Sequence, residues 1–375
     1  MDRRSFIAYP LLLGASGCLA ACSPYLGPGQ PAHAAPAPES STLSPWLSAL
    51  LQDAARAPSS HNSQPWLLVL QSPKSWQLRL ESSRRLKIVD PHCRESWISL
   101  GAFYAALETS ALARGFRLDL PGMDSANVGR DTADIAIKSC SPDTEWQASL
   151  RARRCLRRDL ANATVDAHVL KLASASGSAV CEFLPLSSAE AQSIALHTVE
   201  AEVVQQGMEA IWQELADWVR WSVSAEQANP TGITPAGVEL PLLARLWVAA
   251  SYGRKDVVAP GFRLRSLQSC RQYVNEGAGW LVIATPVDDR DAWVAAGRCL
   301  MRVWLACTRM GLAVHPISQA LEIPAIRERL AQRLGMGHLQ MLLRIGKPPR
   351  MLAPVSPRLA PMQFTESLFS EGEPT

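Results

Sequence analysis

A short loop at residues 57–66 concentrates hydrogen-bonding side chains between a helix end and a buried strand. Pro58 ends the preceding helix, and the apolar run after Trp66 predicts a strand. The loop's polar side chains belong to Ser59, Ser60, Asn62, Ser63 and Gln64. Hydroxyl and amide groups at this density suit a planar heterocycle with carbonyls and ring nitrogens. A polar surface loop has the same composition, so composition alone leaves both interpretations open.

A second candidate for ligand binding is the arginine-rich stretch at residues 153–158. Planar guanidinium groups make forked, charge-assisted hydrogen bonds to phosphate oxygens, so this stretch suits a phosphate dianion. Clustered arginines also occur on exposed, solvated helix ends. The residue types therefore indicate an anion site, with an exposed basic segment as the alternative.

The order of residues in the polar loop is more specific than its composition. It resembles the P-S-x-x-N-x-Q-P-W loop that marks the nitroreductase-like FMN proteins. The resemblance implies flavin contacts at Pro58, Ser59, Ser60, Asn62 and Gln64. His61 matches a histidine found at this place in some branches of the family, and a satisfied structural histidine is the alternative.

The arginine stretch resembles the family's phosphate-gripping element, Arg-x-Ser/Thr-x-Arg/Lys. By this resemblance Arg153, Cys155 and Arg157 belong to the flavin site. Cys155 replaces the usual hydroxyl and so removes one good hydrogen-bond donor. A third reading, a scaffold that holds no flavin, follows from that replacement.

Two more segments near the carboxyl terminus resemble parts of the same site. Pro316, Ile317 and Ser318 match a loop whose backbone passes the flavin near N5. Ser318 stands where many members have an acidic residue, which implies different chemistry on the substrate side. Arg358 matches a phosphate contact of the family, and a solvated tail residue is the alternative.

A four-residue pattern occurs twice, and the two copies are 196 positions apart. The first copy is Arg94, Trp97, Gly101 and Gly115, and the second is Arg290, Trp293, Gly297 and Gly311. Each copy is predicted to follow a strand (residues 86–89 and 280–283) and to lie on an apolar helix with glycine at its end. Such a repeat indicates two related halves in one chain.

Family members are ordinarily homodimers with FMN at the subunit interface, so two halves in one chain imply a fused pseudo-dimer. The predicted fold class is therefore α+β, a nitroreductase-like fold in duplicate with halves at 44–150 and 151–364. Only the first half carries the polar loop, and only the second carries the arginine stretch. We therefore expect a monomer that binds one FMN.

An insertion at about residues 187–265 has a character of its own. Ser187 and Glu190 form a predicted capping box that opens helical sequence to about Trp221. Tryptophans at 212, 218 and 221 precede a Pro/Gly-broken stretch at 229–235. Tryptophans at helical spacing are usually core or interface residues, and an apolar flap over the flavin is the alternative.

Residues 1–34 read as an export signal of the twin-arginine (Tat) type. Arg3 and Arg4 precede an apolar stretch too short and broken to span a bilayer comfortably. Cys22 ends a sequence that resembles a lipobox, and Ala32-His33-Ala34 offers an ordinary cleavage site instead. The sequence therefore predicts a periplasmic protein, lipid-anchored if Cys22 is modified.

Composition excludes several functions. With 37 basic and 34 acidic residues the formal charge is +3, too balanced for a dedicated nucleic-acid binder. Seven histidines show no metal-binding spacing, and nine cysteines contain no C-x-x-C pair, so no metal site is predicted.

The sequence thus predicts an FMN-binding oxidoreductase that passes two electrons to an electron-poor small molecule. No catalytic residue is assigned, because the flavin itself carries such chemistry. The alternative is an exported protein that holds or stores FMN without a substrate, since NAD(P)H is essentially a cytoplasmic reductant.

Overall fold

The computed structural model describes residues 43–120, 132–174 and 177–368. The predicted export signal, including Cys22, lies outside these residues. Among the described helices, none combines the length and the apolar character needed to cross a membrane.

The first half is built on a five-stranded sheet with strand order β3-β4-β2-β1-β9. Neighbouring strands are antiparallel, except that β9 runs parallel to β1. Its strands are β1 (Trp66–Ser72), β2 (Ser75–Leu80), β3 (Phe116–Asp119), β4 (Thr132–Ser139) and β9 (Thr365–Ser367). Its helices are α1 (Pro45–Ala54), α2 (Arg94–Leu112) and α3 (Gln147–Ala152).

The second half is built on an antiparallel four-stranded sheet with order β5-β6-β8-β7. Its strands are β5 (Val180–Pro185), β6 (Gly279–Thr285), β7 (Ala313–Pro316) and β8 (His338–Gly346). Its helices are α4 (Ala167–Ser174), α11 (Arg290–Arg309), α12 (Gln319–Glu322) and α13 (Pro324–Leu334). Strand β6 is buried at every position, which explains its continuous apolar sequence. The predicted α+β class is confirmed.

The two copies of the repeat lie on two helices, α2 and α11, that pack against each other between the sheets. Both helices begin at the repeat's arginine, Arg94 or Arg290. Gly101 and Gly297 lie where the helices meet: a Cβ on either would collide with the backbone of the opposite helix. The contact needs glycine because only the absence of a side chain allows the backbones to come so close.

The carboxyl-terminal strand ties the halves together. After β8 the chain leaves the second sheet, and β9 pairs with β1 of the first sheet. Backbone hydrogen bonds link Leu68 N to Phe364 O and Leu368 N to Leu70 O. A continuous hydrophobic core, which includes Trp66, Phe103 and Trp304, spans both halves.

The predicted strand at residues 86–89 is wrong, because this stretch forms a turn. The amides of Lys87, Ile88 and Val89 all donate to the carboxylate of Glu214. Successive amides of a strand point in opposite directions, so three that converge on one carboxylate cannot belong to a strand. The turn instead anchors the insertion to the first half.

The insertion contains six helices within the described residues: α5 (Ala189–Gln206), α6 (Glu209–Asp217), α7 (Val223–Ala228), α8 (Leu242–Ser251), α9 (Arg254–Val257) and α10 (Pro260–Tyr273). The predicted capping residue is wrong by one position, because Ser188 caps α5 and accepts from Ala191 N at 3.1 Å. The predicted continuous helix breaks at Gly207. Trp212 lies on α6, packs edge-on against Phe262, and is buried.

Candidate functional site

The polar loop has an unusual backbone. Residues Ser60–Asn62 form a single 3-10 turn, and His61, Asn62 and Gln64 have positive φ angles of 48°, 54° and 52°. The left-handed region is costly for non-glycine residues, and such strain clusters at ligand sites. Ser59 stabilises the turn, because its Oγ accepts from Gln64 N at 3.0 Å. Pro58 before it is half-buried.

The amide groups of Asn62 and Gln64 point inward and bind peptide groups of distant segments. Gln64 is fully buried; its Nε2 donates to Pro230 O at 2.8 Å, and its Oε1 accepts from Leu359 N at 2.9 Å. Asn62 Nδ2 donates to Gly232 O and to Pro357 O, both at 3.1 Å. Both side chains therefore present a donor and an acceptor to groups of the kind that a flavin ring carries.

Three arginines converge beside this loop. Arg358 donates to Asn62 Oδ1, and the guanidinium of Arg153 donates to Arg56 O. Arg153 is buried and lies 4.5 Å over the ring of Trp304. The structure thus brings together the two predicted phosphate contacts Arg153 and Arg358, and adds Arg56.

Electrostatics identify this arginine cluster (Arg56, Arg153 and Arg358) as an anion site. Burial, and then the positive charges of Arg153 and Arg56, lower the pKa of Arg358 to about 9. Burial also lowers the pKa of Arg153 to about 10. Within the described chain, the buried Nε atoms of Arg56 and Arg358 have no hydrogen-bond partner. The Arg56 side chain is 39% exposed and its Nε lies 3.9 Å from Asp53 Oδ1, so its charge is partly compensated. The mutual repulsion of Arg153 and Arg358 is what favours an anionic ligand beside them.

Arg157 and Cys155 lie differently. Arg157 donates through its backbone N to Glu239 Oε1 and through Nη1 to Gly237 O, both at 2.8 Å. Cys155 makes an isolated bridge with Val314, and burial raises the pKa of its thiol. Arg157 therefore binds residues of the insertion, and its predicted contact with the phosphate stays a prediction.

Residues 229–239, called the cover segment below, lie against both predicted ligand-binding elements. The segment contacts the polar loop through Pro230 and Gly232, and the arginine stretch through Gly237 and Glu239. These contacts place the broken part of the insertion against both predicted ligand-binding elements.

The third predicted element follows β7. Pro316 ends that strand, and Ile317 is buried with its N donating to Leu342 O at 2.9 Å. Ser318 Oγ donates to Glu322 Oε1 at 2.6 Å. In the first half, Ser60 Oγ donates to Glu95 Oε2, also at 2.6 Å.

His61 lies within the electrostatic influence of two carboxylates, Glu95 and Glu214. Its Nδ1 is buried and has no hydrogen-bond partner among the described residues. Burial lowers the pKa of its imidazole, against the opposing effect of Glu95 and Glu214. The neutral ring keeps one nitrogen available for a ligand.

Sequence reasoning missed Arg56, Glu95 and Glu322. Arg56 had a usable signal, since it directly precedes the Ala57-Pro58 start of the loop. Glu95 follows the first arginine of the repeat, but nothing in the pattern pairs it with Ser60. Glu322 lies four residues after Ser318, within reach on a single helical turn.

The site fits a phosphorylated planar ligand. The arginine cluster supplies positive charge for a phosphate, and the buried Arg358 Nε, which has no hydrogen-bond partner among the described residues, suits a phosphate oxygen. The amides of Asn62 and Gln64 are bonded to peptide groups of residues 230–232 and 357–359, so a ring would bind them in place of these groups. The molecule is therefore an α+β protein in which most of the predicted ligand-binding residues come together where its two halves meet.

A family model described as the nitroreductase family matches residues 150–347, more than half of the chain. The chain belongs to the nitroreductase family, a family of oxidoreductases. Two relatives from Mycobacterium tuberculosis are "Putative NAD(P)H nitroreductase Rv3131" (strain ATCC 25618 / H37Rv) and "Putative NAD(P)H nitroreductase MT3217" (strain CDC 1551 / Oshkosh). Each is 26% identical over 297 residues, which cover 76% of this chain and 80% of the relative.

Among solved structures, the FMN and NADPH-dependent nitroreductase NfnB from sphigopyxis sp. strain HMH is similar at 18% identity, with a TM-score of 0.35. The match covers 56% of this chain and 94% of that one. A mutant of the same enzyme matches at 19% identity and a TM-score of 0.36, over 58% of this chain and 96% of that one.

Proposed function

We propose that this protein is an FMN-dependent oxidoreductase that binds one FMN between its halves and passes two electrons to an electron-poor small molecule. The observation that carries the proposal is the arginine cluster beside the polar loop. Arg56, Arg153 and Arg358 would hold the phosphate, and Asn62 and Gln64 would hold the ring. Bound FMN would supply the hydride chemistry.

The predicted binding roles of the remaining residues fit the same proposal. Pro58, Ser59, Ser60 and His61 form the turn that presents the two amides, and Pro316, Ile317 and Ser318 bring the second half to the site. The names of the mycobacterial relatives support a nicotinamide donor. The predicted Tat signal supports export with the cofactor already bound.

Visible absorbance of the purified protein tests the proposal directly. We expect an oxidised-flavin spectrum and, after denaturation, one released FMN per chain, because the polar loop and the arginine stretch occur once each. Size-exclusion chromatography with light scattering should give a monomer of 40.8 kDa or less, depending on signal cleavage. A ratio near two would contradict the single site, and a protein that neither carries nor takes up FMN would contradict the function.

An open groove of about 500 Å³ beside the cover segment offers a place for the electron donor. Its walls include Arg84, Trp218, Arg220 and Thr231. Leu359, whose backbone N binds Gln64 Oε1, also lines the groove. A small molecule in the groove would therefore lie next to the flavin-binding elements.

The cover segment should control access to the flavin. Gly232 has a φ of 90°, and a Cβ there would collide with Trp218 O and lie 3.2 Å from Arg220 Cζ. We expect Gly232→Ala to displace the segment from Asn62. Both FMN release and flavin bleaching by NADH should then become faster, as measured by flavin fluorescence and stopped-flow absorbance.

Gly253→Ala is the matched control, because it lies in the same insertion and its Cβ would meet no atom within 4 Å. Its rates should equal those of the wild type. Unchanged rates in Gly232→Ala would show that the insertion is core packing rather than a cover. Flavin that dithionite reduces but NADH does not, in both proteins, would favour the FMN-holding alternative.

A further inference from the structure

Two carboxylates, one from each half, each hold a hydroxyl of a predicted cofactor-binding loop. Glu95 of α2 is buried and accepts from Ser60 Oγ at 2.6 Å and from Arg94 Nη2 at 3.2 Å. Glu322 of α12 accepts from Ser318 Oγ at 2.6 Å, and from Gln205 Nε2 at 2.7 Å. The polar loop and the loop after β7 are therefore each held by a carboxylate, and the charge of Glu95 acts on Glu322; the two residues are called the acid pair.

Glu95 and Glu322 differ in how their charge is balanced. Glu95 is ion-paired to Arg94, whereas both hydrogen-bond partners of Glu322 are uncharged. Burial, and then the negative charge of Glu95, raise the pKa of Glu322 to about 7. Arg94 acts in the opposite direction but less strongly. One cation does not balance two neighbouring carboxylates, so a proton stays with the pair near neutral pH.

Other elements against α12 bring little compensating charge. Helix α5 contributes Gln205 and Glu202; burial raises the pKa of Glu202, and its carboxyl hydrogen-bonds with Gln319 of α12 and with Gln206. Helix α13 carries Arg327, whose guanidinium is held by Asp288. On strand β8, Arg344 is engaged by Tyr273 O. The charge state of Glu322 therefore depends first on its burial and, among the neighbouring charges, mainly on Glu95.

We propose that Glu322 is a positioning residue that supplies, through the hydroxyl of Ser318, the proton needed when the acceptor is reduced. The inference rests on the proposed function. Reduction by two electrons adds a hydride and a proton to the acceptor. The reduced acceptor anion takes the proton from Ser318 Oγ, the carboxyl proton of Glu322 passes to Ser318 Oγ, and Glu322 is left as a carboxylate that water reprotonates.

The hydrogen bond explains why the charge state of Glu322 matters. An ionised Glu322 accepts the hydroxyl proton of Ser318 and so turns it away from the acceptor. A protonated Glu322 donates to Ser318 Oγ instead, which frees the hydroxyl proton for the acceptor. Burial and the charge of Glu95 together keep a large fraction of Glu322 protonated near neutral pH, which links the polar loop to the proton donor.

A readout without activity is the infrared absorption of protonated carboxyl groups as a function of pH. In the purified protein we expect a carboxyl band that disappears around pH 7. Glu322→Gln should remove this band, and Glu95→Gln should shift its loss to lower pH because the like charge is gone. Glu202→Gln is the control: its residue is also buried, but it should leave the band of Glu322 in place.

Stability gives a second readout with a defined sign. The pKa of Glu322 rises from 4.5 to about 7 on folding, so the folded protein binds more protons between these values. The contribution of Glu322 to the free energy of unfolding should therefore fall as pH rises from about 4.5 to 7. The buried His61 and His315, whose pKa values are lowered, contribute in the opposite direction below pH 6.5, and Asp90, whose pKa is raised to about 6, contributes in the same direction as Glu322. The quantity to measure is therefore the difference in unfolding free energy between the wild type and Glu322→Gln, which should shrink as pH rises to 7.

The kinetic test separates reduction of the flavin from its reoxidation by an electron-poor nitroaromatic probe. We expect wild-type reoxidation to slow above pH 7. Glu322→Gln should lower it on the order of 100-fold at pH 6 and remove the pH dependence, whereas reduction by NADH should change little. Ser318→Ala should match Glu322→Gln in reoxidation.

The outcomes distinguish this inference from the proposed function. If the protein binds no FMN, the proposed function fails, while the infrared titration still reports on the acid pair. If FMN binds but no carboxyl band responds to both Glu322→Gln and Glu95→Gln, the acid pair is wrong. If the band responds and reoxidation keeps its pH profile in Glu322→Gln, the proton-supplying role is overturned.

Discussion

Arg358→Ala should weaken FMN binding by about 10- to 100-fold and leave riboflavin binding nearly unchanged. The variant removes one charge-assisted contact to phosphate, which contributes about 1.5–3 kcal/mol. Riboflavin lacks the phosphate, so it loses only the indirect effect through Asn62. Fluorescence titration of the cofactor-free protein with both ligands measures the difference.

Arg350→Ala is the matched control, since Arg350 is an exposed arginine on the same carboxyl-terminal segment. Its affinity for both ligands should stay at the wild-type value. Arg157→Ala separates two roles of Arg157. If Arg157 binds the phosphate, as the sequence pattern predicts, the variant should lose affinity for FMN only. If Arg157 instead holds the cover segment through Gly237 O, the variant should release FMN and riboflavin faster. Equal losses of FMN and riboflavin in Arg358→Ala would exclude the arginine cluster as the phosphate site.

Much of the fold and part of the candidate site could be predicted from the sequence. The repeat placed Gly101 and Gly297 on corresponding helices, and the structure brings them into one contact. These two glycines leave a recognisable pattern in the sequence, because a close approach of two backbones tolerates no side chain. The strand assigned to residues 86–89 failed because an apolar run does not show where its amides point.

The parts of the site that the sequence did not predict depend on groups without a residue signature. Gln64 binds Pro230 O, and any residue at position 230 carries such a carbonyl. The partnership of Glu95 with Ser60 spans 35 positions and exists only because α2 packs under the loop. Arg358 could be matched to a family position, but its proximity to Arg56 is visible only in the folded chain.

The cap of α5 illustrates how local rules fall short by one residue. Ser187 and Ser188 are adjacent, and either can accept a hydrogen bond from a helix amide. The selection of Ser188 follows from the preceding strand, since Leu186 N donates to Ala278 O and fixes the exit from β5. Tertiary contacts therefore determine which of the two serines caps the helix.

The contact between α2 and α11 should be the most sensitive point of the fold. In Gly297→Ala the new Cβ would collide with Ile98 O and lie 2.8 Å from Ala102 N, and both are backbone atoms that no rotamer change can move. We expect the free energy of unfolding to fall by about 3 kcal/mol, as in an overpacked core, despite the better helix propensity of alanine. Denaturant unfolding followed by circular dichroism measures this loss.

Gly261→Ala provides the control for the same change of residue in a helix. It lies on α10, where the added Cβ would meet only Arg265 Nη1 at 3.5 Å, the far end of a flexible side chain. Its stability should equal or exceed that of the wild type by up to about 1 kcal/mol, because alanine favours the helix. Because the same helix pair holds the two halves against each other, Gly297→Ala should also lose FMN affinity, whereas Gly261→Ala should not. If Gly297→Ala were as stable as Gly261→Ala, the two helices would not need their glycine contact, and the pairing of the halves would have to rest on β9 and the shared core instead.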